Sequence, residues 1–288
     1  MKRRIWMCAW ALILAMLLPV CGAAEALPPS SAMKLLGGEA AEESATVNES
    51  IEQMTETAQA GVEAMFNLGV AYDFGDGVER DMEQAIMWYE RAAACGDVRA
   101  MFNLGVTYDQ GDGVPVDAEQ AIYWYEQAAA LEYDKAMMNL ALIYDQAEYV
   151  DRDMEQAIYW YEQAAMLGNV DAMFNLALTY DLADGVERDM EQALYWYEQA
   201  AALGNADAMF NLGVTYDIGD GVEMDDAQAV AWYEQAAEAG SDKAMFNLGI
   251  MYYNGEGVEA DEDMAVAWLE RAVEAGYEDA QEVLDSIR

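Results

Sequence analysis

The sequence predicts an all-α protein, an α/α solenoid (superhelix) of six 36-residue helix-turn-helix units, and three observations predict it. Alanines at Ala64, Ala100, Ala136, Ala172, Ala208, Ala244 and Ala280 recur at a constant step of 36 residues, and a fixed period of roughly 20 to 50 residues marks stacked supersecondary units. Each unit is punctuated alike, with a cap-forming residue, a glycine turn, an aspartate and a closing glycine. Small and large apolar residues also alternate at helical spacing: Ala100, Leu104, Gly105 and Tyr108 form one stripe, and Ala121, Trp124, Ala128 and Ala129 form the other. Small residues let two helices approach while large ones fill the gaps.

In chain order, residues 1–24 read as a secretory signal peptide. Lys2, Arg3 and Arg4 precede an apolar run from Ile5 to Val20, followed by a small-residue exit. Val20 just before Cys21 is a poor lipidation signal, so a soluble periplasmic or secreted chain is expected rather than a lipid anchor at Cys21, and no transmembrane segment is expected in the mature chain. Residues 25–46, rich in Pro, Ser, Gly and Glu, read as a flexible linker. Thr46 and Glu49 fit a capping box, with Ile51, Met54 and Ala58 on one face, so residues 47–62 are predicted as an N-terminal capping helix.

Six units follow, 64–99, 100–135, 136–171, 172–207, 208–243 and 244–279. In each, the first helix is expected from about two residues before the leading Ala to the Tyr eight residues beyond it, with N-caps at Asp97, Asn169, Asn205 and Ser241. A D-x-G-D-G-V loop turns the chain. The second helix starts at an aspartate N-cap with Gln in its third position (Asp81/Gln84, Asp117/Gln120, Asp153/Gln156, Asp189/Gln192, Asp225/Gln228) and ends at Gly96, Gly168, Gly204, Gly240 or Gly276. The third unit departs, with Ala147-Glu148-Tyr149 where glycines are expected and Glu132-Tyr133 in place of Gly-Asn, and a looser junction is expected there. Residues 280–288 keep Ala280 and Leu284 but turn polar, as a C-terminal capping helix should.

In the first unit the landmarks are Ala64, Leu68-Gly69, Tyr72, Gly75, Gly77-Val78, Asp81, Ala85, Trp88-Tyr89, Ala92-Ala93 and Gly96. This string, repeated six times over residues 64–279, closely resembles the Sel-1-like repeat, a relative of the tetratricopeptide repeat. The resemblance implies an α/α solenoid acting as a scaffold or adaptor for other proteins, commonly exported or envelope-resident in bacteria. One exported subfamily staples each repeat with a cysteine pair; this chain has none, so that subfamily's ligand chemistry is not implied.

Composition limits the function. With 13 Lys+Arg against 55 Asp+Glu the net charge is −42, about −45 once residues 1–24 are removed. Such a chain is repelled by nucleic-acid phosphates and anionic lipid and attracts cations; the acids also serve solubility. Histidine, the commonest general base, is absent. The lone S-x-x-K, Ser31 to Lys34, falls in the linker without partner motifs. The chain is therefore read as a non-enzyme that needs no cofactor, and a cell-wall enzyme is the weakest alternative. Cys95 occupies a slot filled by Leu131, Leu167 and Leu203 in later units and is expected to be buried and apolar.

Three features remain as candidate sites. Alignment with the tetratricopeptide pattern places Phe66, Val70, Asp73 and Phe74 of the first unit on the inner, concave face. The equivalent rows are Phe102, Val106, Asp109; Phe174, Leu178, Asp181; Phe210, Val214, Asp217; and Phe246. An apolar floor with a carboxylate rim suits a peptide or protein segment carrying hydrophobic and basic residues. Alternatively, Phe and Val pack between adjacent helices. Asn67, Asn103, Asn139, Asn175, Asn211 and Asn247 form a ladder that could hold a peptide backbone or bridge neighbouring units, the structural role being preferred. The loop acids, such as Asp73, Asp76, Glu79 and Asp81, suggest a cation- or calcium-responsive envelope protein as the alternative function, although their spacing is not that of an EF-hand and turns explain them as well.

Overall fold

The computed structural model describes residues 61–146 and 150–287, and these hold thirteen α-helices and no strand. They are α1 (Val62–Phe74), α2 (Met82–Ala94), α3 (Val98–Gln110), α4 (Ala118–Ala129), α5 (Asp134–Gln146), α6 (Met154–Met166), α7 (Val170–Asp181), α8 (Met190–Ala202), α9 (Ala206–Ile218), α10 (Asp226–Glu238), α11 (Asp242–Asn254), α12 (Glu262–Glu274) and α13 (Asp279–Ile287). The chain divides after Ala136 into two compact units. In the first, α1 packs on α2, α2 on α3 and α3 on α4; in the second, each helix from α6 to α13 packs on the next. Each unit is a stretch of α/α solenoid in which helices meet mainly their chain neighbours. The expected signal peptide, the linker, residues 47–60, Cys21, Ser31 and Lys34 lie outside the described residues. Gly61 is extended (φ −156°) and is the N-cap of α1.

The caps form at the expected residues. Side chains of Asp97, Asn169, Asn205 and Ser241 accept from amides in the first turns of α3, α7, α9 and α11. The second helices are capped by Asp81, Asp117, Asp153, Asp189 and Asp225, each accepting from the amide of the Gln three residues on at 3.0–3.1 Å. The capping-box return to the N-cap amide is not made, because that amide has another use. Asp81 N–H donates to the carbonyl of Tyr72 at 2.9 Å, and Asp189 N–H to that of Tyr180 at 3.1 Å, so the amide closes the loop onto the preceding helix. First helices continue past the expected Tyr, ending at Phe74, Gln110 or Ile218 before a left-handed glycine such as Gly75 (φ 70°).

Packing assigns the aromatics differently from the sequence stripes. The residue fully buried between the helices of a pair is the tyrosine after the tryptophan: Tyr89, Tyr125, Tyr161, Tyr197 and Tyr233. Trp124 is only half-buried, with its ring edge-on to the exposed Tyr123 at 5.0 Å. Gly213 lies under the ring of Tyr233, where a Cβ would come within 2.5 Å of Cδ1. Ala141 and Ala177 occupy the same position in the third and fourth pairs, and both they and Tyr161 and Tyr197 remain buried. The extra methyl is thus accommodated without expelling the tyrosine.

One expectation is corrected. Cys95 is only half-buried, because it is the C-cap residue at the end of α2; Leu131, Leu167 and Leu203 at that slot are exposed. The turn after α4, where Glu132-Tyr133 replaces Gly-Asn, keeps its local hydrogen bonds, and the chain divides into its two compact units just beyond it. Glu132 takes the left-handed conformation itself (φ 59°), and the closing bonds from Glu132 N–H to Ala129 and Tyr133 N–H to Ala128 form at 2.9 and 3.2 Å, as the glycine turns do. The cost is conformational, since a side chain disfavours that region.

Candidate functional site

The sequence-predicted rows lie on the first helices at i, i+4 and i+7. Phe66, Val70 and Asp73 on α1; Phe102, Val106 and Asp109 on α3; Phe174, Leu178 and Asp181 on α7; Phe210, Val214 and Asp217 on α9; and Phe246 on α11 are all half-buried. Phe74, next in the row, is exposed. Each ring leans on the buried tyrosine of its own pair: Phe66 on Tyr89, Phe102 on Tyr125, Phe174 on Tyr197 and Phe210 on Tyr233, at 5.8–6.0 Å. The next pair covers the other side. Arg99 sits over Phe66 at 4.2 Å, Tyr133 lies 5.2 Å from Phe102, Lys243 is 5.9 Å from Phe210, and Tyr277 is 4.9 Å from Phe246. At Phe174 the position equivalent to Arg99 and Lys243 is Asp207, which supplies neither ring nor cation.

The carboxylates of these rows face inward. The hydroxyls of Tyr89, Tyr125, Tyr161, Tyr197 and Tyr233 donate to Oδ2 of Asp73, Asp109, Asp145, Asp181 and Asp217, at 3.0–3.3 Å. Burial first, then the neighbouring aspartate charge, holds Tyr89, Tyr161, Tyr197 and Tyr233 above the ordinary 10.0, so each phenol keeps the proton it donates. Asn211 Nδ2 on α9 donates to the Tyr197 hydroxyl at 3.1 Å. Asn103, Asn175 and Asn247 act on the Tyr89, Tyr161 and Tyr233 hydroxyls from the equivalent positions, each tending to lower the phenol against the raising effect of burial. At these junctions the asparagine ladder thus has the bridging role, completing an aspartate–tyrosine–asparagine relay from one pair to the next.

A second tie uses arginine. Nε of Arg80, Arg152 and Arg188 donates to the backbone carbonyl of Asp73, Asp145 and Asp181 at 2.6–2.8 Å. The same guanidiniums reach Asp112, Asp184 and Asp220, the loop acids 32 residues ahead. Those bonds draw the Asp184 and Asp220 carboxyls below the usual aspartate range. Three acids of the glycine loops are therefore arginine partners, and others cap helices. No group of three or more His, Cys, Asp or Glu among the described residues is arranged to hold a metal ion.

Neither tie was drawn from the sequence, yet both leave a signal there: an aspartate 16 residues before the second aromatic of each Trp-Tyr pair, and arginines at Arg80, Arg152 and Arg188 in one register of the repeat. The exposed aromatics of the second helices were also missed. The exposed Tyr159 and Tyr195 stand edge-on to Trp160 and Trp196, both at 4.9 Å, on second helices of the second unit.

Helix pairs joined by nearest-neighbour packing, with one relay repeated at successive junctions, define a helical-repeat protein. The Sel1 repeat matches residues 62–97, 98–133, 134–169, 170–205, 206–241 and 242–277, and the chain belongs to that family. One similar solved structure is a protective antigen of uropathogenic Escherichia coli strains with an SLR fold. It is 34% identical with a TM-score of 0.76, and the match covers 82% of this chain and 51% of that one, so this chain spans about half the antigen's length. A Sel1 repeat protein from Oxalobacter formigenes is 35% identical with a TM-score of 0.61, over 75% of this chain and 88% of that one. Comparison with curated proteins gives no match.

Proposed function

We propose that this chain is a non-enzymatic scaffold that binds another protein through the half-buried rows of its first helices, on the concave side of the solenoid. The observation that carries this reading is Phe174, a row aromatic with its own tyrosine on one side and no ring or cation at the covering position. Sel1 repeat proteins generally mediate protein–protein interaction, which supports the class of function. A net charge of −42 favours a partner with basic residues beside its apolar ones. Placement in the periplasm or outside the cell rests on residues 1–24.

The test is cross-linked capture from a bacterial envelope fraction with the wild-type chain and with Phe174→Ala, each checked for unchanged helicity. Loss of the same captured protein with Phe174→Ala supports the row. Undiminished capture overturns it and moves attention to the Tyr159 and Tyr195 face.

A further inference from the structure

Three junctions of this chain hold a guanidinium in one cradle, and a fourth has the cradle without the arginine. At the junction of the fourth and fifth pairs, Arg188 Nε donates to the Asp181 carbonyl at 2.7 Å. Its Nη2 reaches Asp181 Oδ1 at 3.0 Å and Asp220 Oδ2 at 2.5 Å, and Nη1 reaches Asp220 Oδ1 at 3.0 Å. One repeat later, Met224 stands at the arginine position, Asp217 at that of Asp181 and Glu256 at that of Asp220.

The frame around that fourth cradle is unchanged. Asp225 N–H bonds the Tyr216 carbonyl at 2.9 Å, as Asp189 N–H bonds that of Tyr180 at 3.1 Å. Glu256 N–H bonds the Met251 carbonyl and Asp220 N–H that of Thr215, both at 3.0 Å. Asp217 accepts from Tyr233, and Asp181 from Tyr197, both at 3.1 Å. What changes is the cation. Among the described residues, the hydrogen bond to the Glu256 carboxylate comes from Asn254 Nδ2, at 3.3 Å. Burial, then the charges of Asp226 and Glu256, act to raise the Asp217 carboxyl against the lowering bond from Tyr233. Met224 and Ile218 beside it are 61% and 64% exposed, an apolar margin for the stem of an incoming side chain.

A group of acids does not by itself specify a ligand. Here the equivalent atoms at two sibling junctions ligate a guanidinium in full, and at a third the carbonyl and the loop acid do so, which fixes the chemistry. We propose that the junction of the fifth and sixth helix pairs is a docking socket for one arginine side chain of a partner protein, with the Asp217 carbonyl and carboxylate as one jaw and Glu256 as the other. Arginine is favoured over lysine because the cradle presents acceptors in a planar fork, which a point-charge ammonium fills less completely. The proposal rests on the protein-binding reading and specifies what the partner must offer.

The experiment is an NMR titration of the full chain with a blocked Gly-Arg-Gly peptide, with Gly-Lys-Gly and Gly-citrulline-Gly as controls. Saturable shifts at the Asp217 and Glu256 amides and the Met224 methyl are expected, several-fold weaker for lysine and lost for citrulline. Met224→Arg, which fills the socket from within, should weaken arginine binding at these residues at least tenfold. Arg188→Met should open a second socket, read as new shifts at Asp181 and Asp220. Equal response to arginine and lysine, or unchanged binding with Met224→Arg, overturns the socket in favour of diffuse charge attraction. A failed titration alongside Phe174-dependent capture removes the socket alone; loss of both removes the binding reading as well.

Discussion

The junctions on either side of the fifth helix pair are built alike and finished differently. Both carry the buried relay, Asp181–Tyr197–Asn211 before the pair and Asp217–Tyr233–Asn247 after it. Only the first is also clasped on the surface, by Arg188. The sixth pair shows what happens when the relay itself goes. Leu269 replaces the tyrosine, Tyr253 the aspartate and Val283 the next asparagine, all three together, while Leu269 stays fully buried. The difference teaches that the relay is changed as a set and the clasp singly. A buried hydroxyl, carboxylate and amide each need the others, since an unpaired polar group in the interior is costly. A surface ion pair contributes little and is replaceable.

The largest expected effect comes from removing a relay ring. Tyr197→Ala should destabilise the second unit by about 3–5 kcal/mol, the usual cost of emptying a large aromatic site, read by urea unfolding. Tyr197→Phe keeps the ring and strands Asp181 and Asn211, and should cost about 1–3 kcal/mol. Copying the sixth pair's set, Tyr197→Leu with Asp181→Tyr and Asn211→Val, should leave the protein more stable than Tyr197→Leu alone. The reverse order would show that the three replacements are unrelated.

The pH response sharpens the contrast next. The Asp217 carboxyl lies above its ordinary 3.8 in the folded chain, mainly through burial. Its contribution to stability is therefore complete below that ordinary value and declines as pH rises through the raised one. Acidification from neutrality should raise Tm, and Asp217→Asn should shrink that rise. An identical pH–Tm slope in the variant would show that other carboxylates control it.

The smallest effect belongs to the clasp. Arg188→Met should lower Tm less than Tyr197→Phe does, and the difference from wild type should fade by about 0.5 M salt, where exposed pairs are screened. A loss that persists at high salt would give the clasp a packing role as well.

Much of the fold was legible because it is written in short-range grammar. The N-caps Asp81, Asn169 and Ser241 and the turn at Gly75 act within a few residues of themselves, so their spacing reveals them. The candidate rows were legible as positions but not as environments. Phe66 reads as a groove aromatic until Arg99, 33 residues on, is seen lying over it. Asp73 reads as rim charge until the Tyr89 hydroxyl is found on it. Trp124 was favoured over Tyr125 as the core aromatic because helical periodicity gives a face and not a depth.

By itself the sequence determined the repeat, the helices and their N-caps, and the family, because each depends on residues close together in the chain or on a period that can be counted. Only the tertiary structure decided which polar groups are used up inside and which remain for a partner. That division depends on groups 14, 16 and 32 residues apart meeting at a helix junction, as Asn211, Asp181 and Asp220 do around Tyr197 and Arg188. A hydrogen bond is satisfied in space, and its partner is named only when the helices are packed.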